Sequence, residues 1–173
     1  MKKIINNILH RFKEDSLSKR KGLVDRTVMY KSAKELKTCL VFWTAGSDIQ
    51  SYTKALKNNL KDIKLEQLCY VPAGTEMLET DDMVVLRDED LGFGGKIQNE
   101  RLFTVLANEY DLLIDLTAKC NTMVRYVLTN NHACCVVGMK REGEEADILV
   151  DGVESPVDFI EKLSGLLADI KRY

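Results

Sequence analysis

The chain is poor in the residues that usually announce a chemistry: two histidines, His10 and His132, one tryptophan and two prolines in 173 residues. No Cys or His pair stands at zinc-ligand spacing, so no metal ligand set is expected. There is no G-x-S-x-G elbow, which removes the common serine-hydrolase pattern. No apolar run approaches the roughly 20 residues that a membrane span needs. The start, Met-Lys-Lys-Ile-Ile-Asn-Asn, breaks its apolar run with two asparagines and is followed by no small-residue cleavage site, so no secretory signal is read. Cys39, Cys69, Cys134 and Cys135 fall inside apolar strand-like runs, where a thiol behaves as a small buried hydrophobe. Reduced thiols and the lack of a signal make the cytoplasm the expected location.

What the chain does have is apolar content, 45%, enough for one closed core at this length, and a charge asymmetry. Residues 1–37 carry 11 Lys and Arg against 4 Asp and Glu, a net +7, and the remainder carries −9. A basic start on an acidic body points to docking on the body or on a second subunit. Ile4, Ile5, Ile8, Leu9 and Phe12 recur at helical spacing, so residues 1–22 are expected to form a basic amphipathic helix. Such a helix offers a route to a homo-oligomer, or to an anionic membrane surface as a peripheral protein. Nucleic acid is not an expected partner.

Residues 38–43 read as a strand covered on both faces, and Ser47 or Asp48 caps a helix from Ile49 to about Leu60. Further strands are expected over 64–71, 82–86, from Leu112, over 133–137 and over 146–150. Helices are expected over 97–108, over 121–130 and from Pro156, where Ser155 caps and Phe159, Ile160, Leu163, Leu166, Leu167 and Ile170 face inward. The charged, glycine-containing stretch at 140–145 reads as a hairpin turn. The expected fold is a single α/β domain over 1–173, three-layered and doubly wound (Rossmann-like or flavodoxin-like). Its mostly parallel sheet of about six strands runs in the order 3-2-1-4-5, with strand six antiparallel at the edge.

In such a sheet a ligand sits beyond the carboxyl ends of the strands, where the strand order reverses, here between strands one and four. That gives Thr44, Gly46 and Ser47 on one side, and Asp115, Thr117 and Asn121 on the other, as candidate ligand-binding residues, alongside their plainer roles as caps and turns. The loop Gly92-Phe93-Gly94-Gly95-Lys96 adds Gly92, Gly94 and Lys96, since close glycines let backbone N–H groups approach an anion. It departs from a Walker A loop, with Asp90 at the first glycine position and Ile97 after the lysine. The acids at 88–90 would also repel a phosphate. Cys120, beside Lys119 at a helix start, is either a reactive thiol or a helix-start filler. No catalytic residue is assigned and no cofactor is expected.

The central unit also carries a resemblance. Tyr110-Asp111-Leu112-Leu113-Ile114-Asp115-Leu116, then Asn121, the helix to Asn131, and Ala133-Cys134-Cys135-Val136-Val137-Gly138 resemble a family of uncharacterised small α/β proteins from Bacteroidetes, a domain of unknown function. That family has a D-L-L-I-N strand, a following asparagine and a strand rich in A-x-F-K-V-G; its D-x-x-x-F-G-K segment is similar to Asp90–Lys96 here, with one additional glycine. Cys134-Cys135 departs from it, standing where the family places a larger aromatic and a lysine. The resemblance implies the fold and no particular activity.

Three functions are compatible with these residues. The first is a binding or interaction module without a catalytic site, whose partner is a protein or a small anionic ligand at the carboxyl edge. The second is a nucleotide- or sugar-phosphate-dependent enzyme using the same edge through Lys96 and Asp115. The third is the peripheral membrane-surface protein.

Overall fold

The computed structural model describes residues 11, 15–17, 24–143 and 145–170. Most of the helix expected over residues 1–22, and the homo-oligomer or membrane contact expected through it, lie outside the described residues. Inside them six strands form one sheet: β1 (Thr38–Thr44), β2 (Lys64–Tyr70), β3 (Met83–Leu86), β4 (Leu112–Asp115), β5 (Val136–Met139) and β6 (Ile148–Val150), in the order β3-β2-β1-β4-β5-β6. Among the described residues it is accompanied by α1 (Ile49–Asn59), α2 (Glu100–Ala107), α3 (Thr122–Thr129) and α4 (Pro156–Asp169).

β1 is central, and its alternation divides the core. Cys39, Val41 and Trp43 point to one face, where α1 and α4 bring Leu56, Phe159, Ile160 and Leu163. Leu40 and Phe42 point to the other, packing with Leu102 and Leu106 of α2 and Val124 and Val127 of α3. Helices therefore cover both faces, and each fully buried large aliphatic or aromatic side chain stabilises the fold by about 1.5–3 kcal/mol. The Trp43 ring is buried, yet its Nε1 finds no acceptor among the described residues. A buried unsatisfied donor costs about 1–3 kcal/mol. That cost offsets the volume lost in Trp43→Phe, so this variant is expected to unfold in urea within about 1 kcal/mol of the parent. A loss above about 3 kcal/mol would show that the indole N–H is satisfied.

Local chemistry sets the element ends. Asp48 caps α1 by accepting from the Ser51 N–H (3.2 Å), and Ser155 caps α4 by accepting from the Asp158 N–H (3.1 Å). α2 begins three residues later than the periodicity predicts, because Ile97 forms an antiparallel bridge back to Leu91 and Asn99 takes the cap. β5 begins at Val136 rather than Ala133. Asn131 holds the preceding turn, donating to the carbonyls of Val127 (3.0 Å) and Leu128 (2.8 Å) and accepting from Ala133 N–H (2.9 Å). Leu166, expected inward, is 47% exposed on the outer side of α4.

The largest departure is β6, which runs parallel to β5, pairing Val137 with Ile148 and Gly138 with Leu149; among the described residues there is no antiparallel edge strand. The reason lies in residues 140–147. Arg141 is tied to Asp115 and Thr117 at the carboxyl end of β4, Gly143 O accepts from Arg125 of α3 (3.4 Å), and Glu145 pairs with Arg125. Asp147 then pins the chain at the amino end of β5, where its carboxylate accepts from Val136 N–H (2.7 Å) and from Arg26 (2.7 and 2.9 Å). These contacts carry the chain down past α3 to the amino edge, and the next strand starts upward again.

The stretch from Arg26 to Lys37 is a belt along the amino ends of the strands. Arg26 pairs with Asp147, Met29 N–H donates to Cys134 O (2.9 Å), Lys31 pairs with Asp111, and Ala33 N–H reaches Leu167 O (3.1 Å). Two cations of the basic start are thus neutralised on the body. Ser16 accepts from the Gly94 N–H (3.2 Å), and Leu17 is buried in the core on the α2–α3 face.

Candidate functional site at the carboxyl edge

β1 has β2 on one side and β4 on the other, and the chain leaves β1 toward β2 but returns from β3 to β4. The strand order reverses there, so the carboxyl ends of β1 and β4 mark the place where a sheet of this kind takes a ligand. The register pairs Phe42 with Asp115, and Leu116 N–H donates to Phe42 O (2.8 Å). Thr44 through Ser47 therefore overhang Leu116 and Thr117. Gly46 sits at φ +91° with open space at its missing Cβ, and Ser47 N–H donates to Thr44 O (3.2 Å), closing a tight turn ahead of α1.

Beside this reversal lies a buried polar cluster. Asp115 and Thr117 are buried at 1% and 0% exposure. Asp115 Oδ1 accepts from Thr117 N–H (2.9 Å), and Asp115 Oδ2 accepts from Arg141 Nη2. Arg141 Nη2 also donates to Thr117 Oγ1 (2.9 Å), and Nη1 donates to the Thr117 carbonyl. A buried carboxylate thus meets a guanidinium whose side chain is 15% exposed. Arginine suits this place because its planar fork engages the carboxylate, the hydroxyl and the carbonyl together.

Sequence reasoning missed Arg141, reading it as part of a turn. The signal lay in the register. Asp115 pairs with Gly138, so a residue three positions beyond Gly138 in a parallel sheet stands just past the end of β4.

The other expected residues have defined employment. Asn121 caps α3, its Oδ1 accepting from Val124 N–H (2.9 Å). The loop at 92–96 is a 3-10 turn in which Gly92 N–H donates to Lys96 O (2.8 Å) and Gly95 N–H to Gly92 O (3.1 Å). Gly94 and Gly95 lie at φ +67° and +72°, and Gly95 O accepts from the Tyr126 hydroxyl (2.7 Å), which fastens the loop to α3. The neighbouring acids organise the same segment: Asp90 accepts from Arg87 N–H (2.7 Å), and Asp88 from the Tyr70 hydroxyl (3.1 Å). Asp115 and Thr117 meet through Arg141, whereas Gly92, Gly94 and Lys96 belong to this separate turn, with Lys96 exposed.

Burial pushes the Cys69 and Cys135 thiols up to about 12, and Cys39 upward as well, so none of the three is a nucleophile at neutral pH. Cys134 lies before β5 and is partly exposed. Cys120 donates through Sγ to Gly143 O (3.0 Å). Among the described residues no three His, Cys, Asp or Glu side chains converge as metal ligands would, and no helix is long and apolar enough to cross a membrane.

A parallel α/β domain with a buried Asp115–Thr117–Arg141 cluster at its strand reversal is the class that these features define. The model described as "Family of unknown function (DUF6913)" matches residues 6–168, and the chain belongs to that family. Neither a curated protein nor a solved structure matches this chain.

Proposed function

We propose that the domain is a cytosolic binding module that takes a small anionic ligand at the carboxyl edge, between the ends of β1 and β4, and carries out no chemistry on it. The observation that carries this reading is Arg141. Its guanidinium lies just past the end of β4, held by Asp115 and Thr117. An arginine oriented in advance gives up little rotamer entropy when it meets an anion. Its pairing with Asp115 also removes the negative charge that would otherwise repel such a ligand. Thr44 and Ser47 supply hydroxyls on the opposite wall, and the Gly46 turn keeps that wall low.

The test is thermal unfolding in the presence of inorganic phosphate, ATP and glucose 6-phosphate. A ligand present at 100 times its Kd stabilises by about 2.7 kcal/mol, which for a chain of this size raises Tm by roughly 5–10 °C. At least one of the three is expected to do so. Arg141→Lys, which keeps the charge facing Asp115 but loses the fork, is expected to abolish the rise. No rise with any of the three overturns the reading.

A further inference from the structure

The connection from β2 to β3 contains no helix. A right-handed crossover between these parallel neighbours would lay a helix on the same face as α1, beside it and over β2. Residues 71–82 instead form a strap whose Met77 packs against Cys69, with the two sulfurs 3.6 Å apart. Beside α1 and over β2 lies a slot of two hollows, about 310 and 500 Å³, which share Thr53, Lys57 and Gln67 and which the strap reaches only at Asp82. Val41, Leu56, Leu60 and Leu65 give it an apolar lining.

The side formed by α1 is basic. Lys54 and Lys57 on α1 and Lys61 in the turn just past it line the slot, all three exposed, and α1 contains no Asp or Glu. Among the described residues no carboxylate forms an ion pair with any of them. The acids of the slot, Asp62 and Asp82, lie toward the amino edge, just past α1 and just ahead of β3. A patch of lysines with no ion pair among the described residues, on a body whose net charge is −9, marks a place where negative charge is to be received.

We propose that this slot docks an acidic amphipathic helix of a partner protein, which completes the helix layer that the β2–β3 connection leaves short. The slot runs beside an 11-residue helix, about 16 Å, so it accommodates about three turns. Apolar side chains at i, i+3 and i+7 of the partner settle over Leu56, Leu60 and Leu65, and flanking carboxylates face Lys54, Lys57 and Lys61. This contact is separate from the carboxyl-edge site and does not depend on it.

The experiment places a photo-crosslinking side chain at Gln67 of the full chain, irradiates the cells that make it, and sequences the cross-linked peptide by mass spectrometry. A second version carries the cross-linker at exposed Lys57, in case Gln67 does not tolerate it. The expected adduct is a segment of another protein with helical apolar periodicity and an excess of Asp and Glu. Its yield is expected to fall at least tenfold when K54E, K57E and K61E are combined with the Gln67 cross-linker. The absence of an adduct from both positions overturns the proposal. So does an adduct to a second copy of this chain, to a basic or aperiodic segment, to lipid or to nucleic acid, or one whose yield ignores the charge reversal.

Discussion

Replacing Arg141 by methionine is expected to destabilise the fold by about 3–5 kcal/mol, because it leaves the buried Asp115 carboxylate without its cation. The same change together with Asp115→Leu is expected to recover most of that loss, since exchanging both members of a buried ion pair for apolar groups is often neutral or better. Urea denaturation of the two single variants and the double variant gives the coupling directly. Arg141 also anchors the descending segment 140–147, so its loss is expected to loosen β6. Hydrogen exchange should show Ile148–Val150 losing protection before the central strands do. A single-variant loss below about 1 kcal/mol would mean that the pair is solvated and closes nothing.

Asp111 is the corresponding point at the amino edge. Its carboxylate accepts from the N–H groups of Lys37 (2.7 Å) and Thr38 (3.1 Å) and from the Lys31 ammonium, while its own N–H donates to Thr38 Oγ1 (3.1 Å). One side chain therefore joins the belt to the starts of β1 and β4. Asp111→Ala is expected to cost roughly 2–3 kcal/mol, the range for charge-assisted hydrogen bonds removed from partly buried partners. Burial pushes the carboxyl upward, but Lys31 and the two amides outweigh it and hold Asp111 below the usual range. The folded value then lies under the unfolded value of about 3.9. The stabilisation is accordingly complete above about pH 4 and is lost as pH falls through the folded value. The parent protein should shed this increment on acidification, and Asp111→Ala should show a shallower acid limb. Equal limbs would remove Asp111 from the account.

Much of the architecture was legible because it is written locally. A strand buried on both faces reads as an unbroken apolar run, as in Cys39–Trp43 and Leu112–Ile114, and Asp48, Asn121 and Ser155 mark helix starts by side-chain chemistry that needs no tertiary context. The order of the first five strands follows from such elements and the handedness of crossovers. The direction of β6 does not. It depends on Asp147 meeting Arg26, 121 residues away, and on Arg141 meeting Asp115, 26 residues away. A charged stretch with a glycine looks the same whether it turns back or descends along a helix.

The candidate site divides along the same line. Asp115 and Thr117 followed from the strand end alone, while Arg141 came from a segment whose path was misread. The glycine loop shows the converse. Closely spaced glycines suggest amides open to an anion, yet the N–H groups of Gly92 and Gly95 are engaged within the turn itself and that of Gly94 by Ser16. Glycine spacing reports backbone freedom, and the use made of it depends on neighbours that the spacing does not name.

The most direct measurement of the central claim is a titration of the 15N-labelled protein with inorganic phosphate and with ATP, followed by amide shifts at neutral pH. Binding at the strand reversal predicts saturable shifts concentrated at residues 44–48, 115–121 and 141, lost in Arg141→Lys. Shifts confined to the slot beside α1 or to the glycine loop, or no saturable shifts at all, would contradict it.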